Sequence, residues 1–174
     1  MSSRYWCQRR RGWKKEDWRK CVWLDEARVE YTAYQLGRKV RIRPGEELDE
    51  KNLAPSFRSS QIEVGFWAAF GYGQRTLLVR VRKGTPAERV TPRDCLGLNA
   101  SQYGTEIYEP YLISFLLSSD TPITETPVIE HGAKYHAGKP NREVTSAFKV
   151  QKLPLPANSP DLNLIENAWH ILKV

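Results

Sequence analysis

The stretch Leu155-Pro156-Ala157-Asn158-Ser159-Pro160-Asp161-Leu162-Asn163-Leu164-Ile165-Glu166-Asn167 carries the most specific signal in the chain. Its first reading is a helix start. Ser159 suits the N-cap, Pro160 suits the first helical position, and Asp161 complements the positive end of the helix dipole. Leu162, Ile165, Trp169 and Leu172 follow at 3-4-3 spacing and predict a buried stripe on a helix over 160–173. Glu166 lies at the edge of that stripe, beside Leu162 and Trp169. Its carboxylate is half-sheltered and aimed along a sheet surface, where a metal ligand would need to be. On periodicity alone, a surface Glu flanking a core stripe is the better reading.

Working outward, Val150 to Leu155 reads as a short strand, Asn141 to Phe148 as a weak helix, and Pro127-Val128-Ile129-Glu130-His131 as a short buried strand ending in polar groups. Thr121 to Pro127 is a turn-rich break. Ile107, Tyr111 and Phe115, with Leu112 and Leu116, make an apolar stripe at helical spacing, with Pro110 expected in the first turn. Residues 84–100 look irregular. Ile62 to Tyr72 and Thr76 to Val81 are strand candidates joined through Gly71-Tyr72-Gly73-Gln74-Arg75 as a hairpin. Residues 34–60 are loop-like, punctuated by Pro44-Gly45 and Pro55, with Lys39 to Arg43 alternating like a short strand. Cys21-Val22-Trp23-Leu24-Asp25-Glu26, followed by Arg28 to Tyr31, reads as a strand with carboxylates near its end. Strands first, then helix, strand, helix, strand, helix, predict an α/β mixed sheet flanked by helices, the order of an RNase H-like fold. No internal repeat interrupts that order.

Composition bounds the function. The chain has 174 residues, 40% of them apolar and 27% charged, which suffices for one folded domain with a core. No apolar run approaches the ~20 residues of a membrane span, and the first residues have no signal-peptide core. Cys7, Cys21 and Cys95 have no CxxC spacing and leave an odd count, which points to reduced thiols in an intracellular protein. A net charge of +7 and a pI of 9.4 favour an anionic partner, most commonly nucleic acid. Arg9, Arg10, Arg11, Lys14 and Lys15 concentrate in residues 1–20. That lead-in reads equally as a basic arm on phosphates or as an amphipathic segment whose Trp13 and Trp18 pack on the domain.

The 155–167 stretch resembles the PxxSPDLNPIE segment of Tc/mariner-type DDE transposases, with Leu164 where that family usually has Pro. The resemblance extends upstream. Val22-Trp23-Leu24-Asp25-Glu26 is similar to the family's first-acid strand motif, Arg43-Pro44-Gly45-Glu46 to its R-x-P-G-E, and Glu63 to Ala69 to its V-M-V-W-G segment. It therefore runs from about Trp18 to the last residue. It implies that Asp25 is the first catalytic carboxylate and Glu166 the third. The second belongs to a D-N/G-A-x-x-H motif, and the matching frame is His131-Gly132-Ala133-Lys134-Tyr135-His136, with His131 in place of Asp. Thirty-four residues separate His131 from Glu166, the separation of one large branch of the family.

The resemblance implies hydrolysis of a DNA phosphodiester and transfer of the freed 3′-hydroxyl, supported by two Mg²⁺ or Mn²⁺ ions about 3.5–4 Å apart. Mg²⁺ takes hard oxygen ligands, whereas a neutral imidazole suits zinc, copper, nickel or iron. His131 therefore predicts weak Mg²⁺ occupancy and a domain degenerate at its second acid. Side chains alternate along a strand, so Glu130 should face away from His131 and replaces the lost acid only through a bulge or slip. The family has a histidine at the position of His136, near the metals. His170, one turn beyond Glu166, reads as an ordinary surface or core histidine. A zinc site from His131, His136 and an acid has no CxxC or HxxxH spacing behind it.

The reading is thus a basic lead-in over 1–20 and an RNase H-like DDE catalytic domain over 21–174. By this resemblance it lacks the preceding helix-turn-helix domains and stops early, at Lys173-Val174, as a decayed or domesticated element does. DNA is the implied partner, a homodimer is left open, and the nucleus is the implied location. The alternative is a non-catalytic nucleic-acid-binding module of transposase descent.

Overall fold

The computed structural model describes residues 2–31, 62–82, 100–132 and 136–173. Strand β1 (Val22–Tyr31) pairs antiparallel with β2 (Ile62–Gly71) along its whole length and parallel with β5 (Pro127–Glu130) at its start. Beyond β5 lies β6 (Gln151–Pro154), again parallel; β2 also carries β3 (Gln74–Arg75) and β4 (Val79–Val81). The spatial order is β3-β2-β1-β5-β6 with β4 beside β2, a six-stranded mixed sheet. The 62–81 hairpin forms as expected, around Tyr72-Gly73, where Gly73 has φ of +75°. Strand pairing pauses at Thr76–Leu78 and resumes against Gly65–Trp67. The expected strand over 39–43 and the 43–46 motif lie outside the described residues.

Alternation along β1 divides the core. Val22 and Leu24 join Trp67, Ala69 and Val128 under a helical layer made of α3 (Ala100–Tyr103), a π-helical segment (Gly104–Ile113) and α4 (Ser114–Leu117). Cys21, Trp23 and Ala27 face the other way, with Ile129 and Leu155, and are covered by α1 (Ser3–Gln8), α2 (Lys15–Arg19) and α6 (Ile165–Leu172). Helix α5 (Lys139–Ala147) packs beside the π segment, where Gly104 lies so close to buried Asn141 that an added Cβ would sit 2.7 Å from its Oδ1.

Four sequence expectations need correction. The 107–116 stripe begins earlier, at Ala100, and Pro110 lies within the π segment, not in a first turn. Proline has no N–H and its ring crowds the carbonyl one turn back; the wider i→i+5 winding accommodates both. Tyr111 of that stripe is exposed. The last helix does not start at Pro160: Pro160–Leu162 is one 3₁₀ turn, Asn163 is extended, and the α-helix begins at Ile165. Ser159 does not cap it, because its hydroxyl bonds Ser3 Oγ at 2.6 Å. Of the predicted stripe, Ile165 and Trp169 are buried while Leu172 borders an open apolar groove opposite Leu77 and Leu78. Finally, β1 continues to Tyr31, so Asp25 stands mid-strand; it is the parallel neighbour β5 that ends there.

The lead-in is packed into the domain. Trp6 is buried, and Trp18 links Trp13 (centroids 4.7 Å apart) to Trp23 (6.1 Å, stacked). Such aromatic pairs add about 0.5–1.5 kcal/mol each beyond the area they bury. Arg10 lies 3.8 Å over the Trp6 ring and donates to the Trp6 carbonyl at 2.8 Å, so its guanidinium is committed to this packing. Arg9, Arg11, Lys14 and Lys15 are exposed.

Candidate active site

β1 and β5 are hydrogen-bonded neighbours in parallel register, Val22 opposite Val128 and Trp23 opposite Ile129. Carried two residues further, that register sets Asp25 opposite His131, the first residue past β5. His131 Nδ1 is 2.7 Å from Asp25 Oδ1, which also accepts the Glu26 N–H at 2.8 Å. Asp25 is nearly buried and His131 is half-exposed. Contact with Asp25 raises the His131 pKa against the opposing effect of burial.

Glu166 reaches the same point from α6. The entry to that helix is tied to β1 by Asn163, whose Nδ2 donates to the Leu24 carbonyl at 3.3 Å, and Glu166 N–H closes on Asn163 O at 3.1 Å. This explains the otherwise odd extended residue before the helix: it anchors the first turn against the strand that carries Asp25. Partial burial, then the negative charge of Asp25 and a hydrogen bond to it, push the Glu166 carboxyl above its usual range. Asp25, His131 and Glu166 therefore converge, on the α6 face of the sheet.

On the opposite face a second cluster forms. Glu130 alternates away from His131, as expected, and is buried against Tyr108, whose hydroxyl donates to it. Lys152 Nζ lies 2.5 Å from Glu130 Oε1, and His136 Nδ1 lies 3.2 Å from Oε2. Burial pushes the Glu130 carboxyl up, but His136 and Lys152 outweigh it and leave it below the ordinary range. His136 is buried, stacked on Tyr103 with centroids 4.8 Å apart, and its Nε2 is 3.3 Å from Glu26 Oε1. Burial opposes its charge, yet Glu130 and Glu26 raise its pKa to about 9. Tyr103 donates its hydroxyl to Glu26. His170 is exposed on α6.

Sequence reasoning gave Glu26, Tyr103, Tyr108 and Lys152 no role. A signal for two of them existed. Strand alternation sets Glu26 and Glu130 on one face, and two adjacent acids inside a core demand cations and hydroxyls nearby. Lys152, opposite Val128 in β6, is on that face.

The six-stranded mixed sheet flanked by helices is an RNase H-like fold. Among solved proteins it is that of the Mos1 mariner transposase catalytic domain. The chain superposes on the crystallised Mos1 catalytic domain with a TM-score of 0.56 at 15% identity, covering 98% of this chain and 67% of that one. For the Mos1 strand transfer complex the TM-score is 0.66 at 18% identity, and for the pre-cleavage Mos1 transpososome 0.64 at 17%. This chain spans 47% of each of those longer chains. No family model matches the sequence, and no curated protein matches it. Among the described residues no helix is long and apolar enough to cross a membrane.

Proposed function

We propose that the chain is a Tc/mariner-type DDE transposase catalytic domain, built for DNA cleavage and strand transfer and degenerate at its second acid. The observation that carries the reading is the convergence of Asp25, His131 and Glu166 on one sheet face, from elements more than thirty residues apart in sequence. The fold shared with Mos1 structures supports it, as does the 155–167 motif. Some of those structures hold transposon ends, and others hold Mg or Mn.

A pair of divalent ions at such a site would polarise the scissile phosphate and stabilise the leaving oxygen. The residues present do not fit that pair. Asp25 and Glu166 are two hard carboxylates held together, enough for one ion. His131 offers a borderline nitrogen where a third hard carboxylate is needed. Glu130 does not stand in, because Lys152, His136 and Tyr108 take up its carboxylate on the far face. What the residues do instead is retain the scaffold: Asn163 holds Glu166 against β1, and Asp25 holds His131.

DNA, bound through exposed Arg9, Arg11, Lys14 and Lys15, and a nuclear location follow from this reading. The test is duplex cleavage by the His131→Asp variant in Mn²⁺. Nicks with 3′-hydroxyl ends, abolished by Asp25→Asn, support a transposase domain silenced at one ligand. Salt-dependent DNA binding with no cleavage in either protein favours the non-catalytic module, for which the exposed basic residues speak.

A further inference from the structure

We propose that Glu26, His131 and His136 form a site for one borderline transition-metal ion, Zn²⁺ in preference to Mg²⁺, reached at the end of β5. Ligand atoms of these three residues lie within 4.8 Å of one another. Zn²⁺ binds imidazole nitrogen and carboxylate oxygen at about 2.0–2.2 Å, which sets the edge of a tetrahedral site at roughly 3.4 Å. One edge already has that length, since His136 Nε2 is 3.3 Å from Glu26 Oε1. The remaining edges, at most 4.8 Å, close by up to about 1.4 Å, within reach of the half-exposed His131 ring at the strand end.

The surroundings are those of a metal-bound imidazole. A histidine that ligates through one nitrogen usually offers the other to a carboxylate, which fixes its tautomer and its aim. His136 has a carboxylate on that side: with Nε2 toward Glu26, its Nδ1 is in ion-pair contact with Glu130 at 3.2 Å, and Glu130 is itself fixed by Lys152 and Tyr108. Tyr103 stacks on the His136 ring and donates to Glu26, so two of the three ligands are held in place by one side chain. His131 stands edge-on to His136 with centroids 5.0 Å apart. Two imidazoles and one carboxylate disfavour Mg²⁺, which needs an octahedron of oxygens. Glu26 and Glu130 flank His136 on its two nitrogens and favour a cation there, and coordination of an imidazole displaces any proton on the ligating nitrogen.

This inference does not rest on the transposase reading; it needs only these side chains. The experiment is titration of the full chain, carrying Cys7→Ser to remove an exposed thiol, with Zn²⁺ against a chromophoric chelator. Co²⁺ serves as the spectroscopic probe of geometry. Expected are one equivalent of Zn²⁺, the intense visible bands of four-coordinate Co²⁺, and no displacement by millimolar Mg²⁺. Glu26→Gln and His131→Ala should each weaken Zn²⁺ about tenfold or more, the range seen when the surroundings or ligands of a metal site are removed. His170→Ala should leave it within twofold. Near-ultraviolet circular dichroism identifies any variant that fails to fold, and half-exposed His131 is the substitution least exposed to that failure. Absence of stoichiometric Zn²⁺ binding overturns the proposal, as does binding lost in Glu166→Gln and kept in Glu26→Gln. Either result leaves manganese-dependent nicking by His131→Asp as a separate question.

Discussion

Replacing His131 by Asp exchanges an attraction for a repulsion at a known distance. His131 Nδ1 and Asp25 Oδ1 are 2.7 Å apart, with side-chain exposures of 43% and 6%. Opposite unit charges near 4 Å attract by about 4 kcal/mol at an effective dielectric of 20, and solvent at a half-exposed ring reduces this severalfold. Below pH 6.5, where the ring is charged in both folded and unfolded chains, losing the pair and gaining carboxylate repulsion should destabilise the metal-free protein by about 1–3 kcal/mol. For a chain of this size that is a fall in Tm of about 2–12 °C. A divalent ion reverses the sign, because three carboxylates now face it. Mn²⁺ should bind the variant at least tenfold more tightly, a gain of about 1.4 kcal/mol, and should restore the lost Tm. Differential scanning fluorimetry with and without Mn²⁺, paired with calorimetric titration, reads both quantities. An unchanged metal-free Tm together with unchanged Mn²⁺ affinity would refute the geometry on which the site is built.

Other consequences are equally concrete. Lys152→Met leaves Glu130 buried beside a single cation and should cost about 3–5 kcal/mol in urea unfolding; a loss under 1 kcal/mol would mean that the pair is not buried in solution. His136 has a folded pKa near 9 against an ordinary 6.5, so its contribution is complete below pH 6.5 and disappears as pH rises through 9. That contribution is on the order of 3 kcal/mol, and stability should fall between pH 7 and 9.5 in the native chain but stay flat in His136→Gln. Gly104→Ala drives a methyl into Asn141 and should destabilise by about 1–3 kcal/mol, measured by the same unfolding curves. Reversing the charge of Arg9, Arg11, Lys14 and Lys15 should flatten the log–log salt dependence of duplex binding by as much as about 3–4, whereas Arg10→Ala should lower stability and leave that slope unchanged.

Much of this architecture was legible in the residues. Apolar runs over Cys21–Glu26 and 127–131 predicted two strands, and alternation turned Glu130 away from His131, as the two core clusters bear out. The grouping of Asp25, position 131 and Glu166 came from the family resemblance, since periodicity alone read Glu166 as a surface residue beside a core stripe. Local rules failed where tertiary contacts overrode them. Ser159 has the chemistry of an N-cap, but Ser3 claims its hydroxyl and Asn163 claims the Leu24 carbonyl, which delays the helix to Ile165. Pro110 signals a first turn only if the winding is α; a π segment tolerates it internally. Glu26 escaped notice because its partners, Tyr103 and His136, come from segments seventy-seven and one hundred and ten residues away. Alternation could flag Glu26 as an acid on the Glu130 face, but which residues come to meet it over such separations is not written in a single sequence.

We propose that this domain keeps a transposase scaffold with the first and third of its acids, Asp25 and Glu166, while lacking the second. Nicking of supercoiled plasmid by the unmodified chain in Mg²⁺ tests it most directly. The account predicts no nicked product above the background of an Asp25→Asn control over a prolonged incubation. Robust Mg²⁺-dependent nicking by the unmodified chain, abolished by Asp25→Asn and by Glu130→Gln, would contradict it and make Glu130 the working acid.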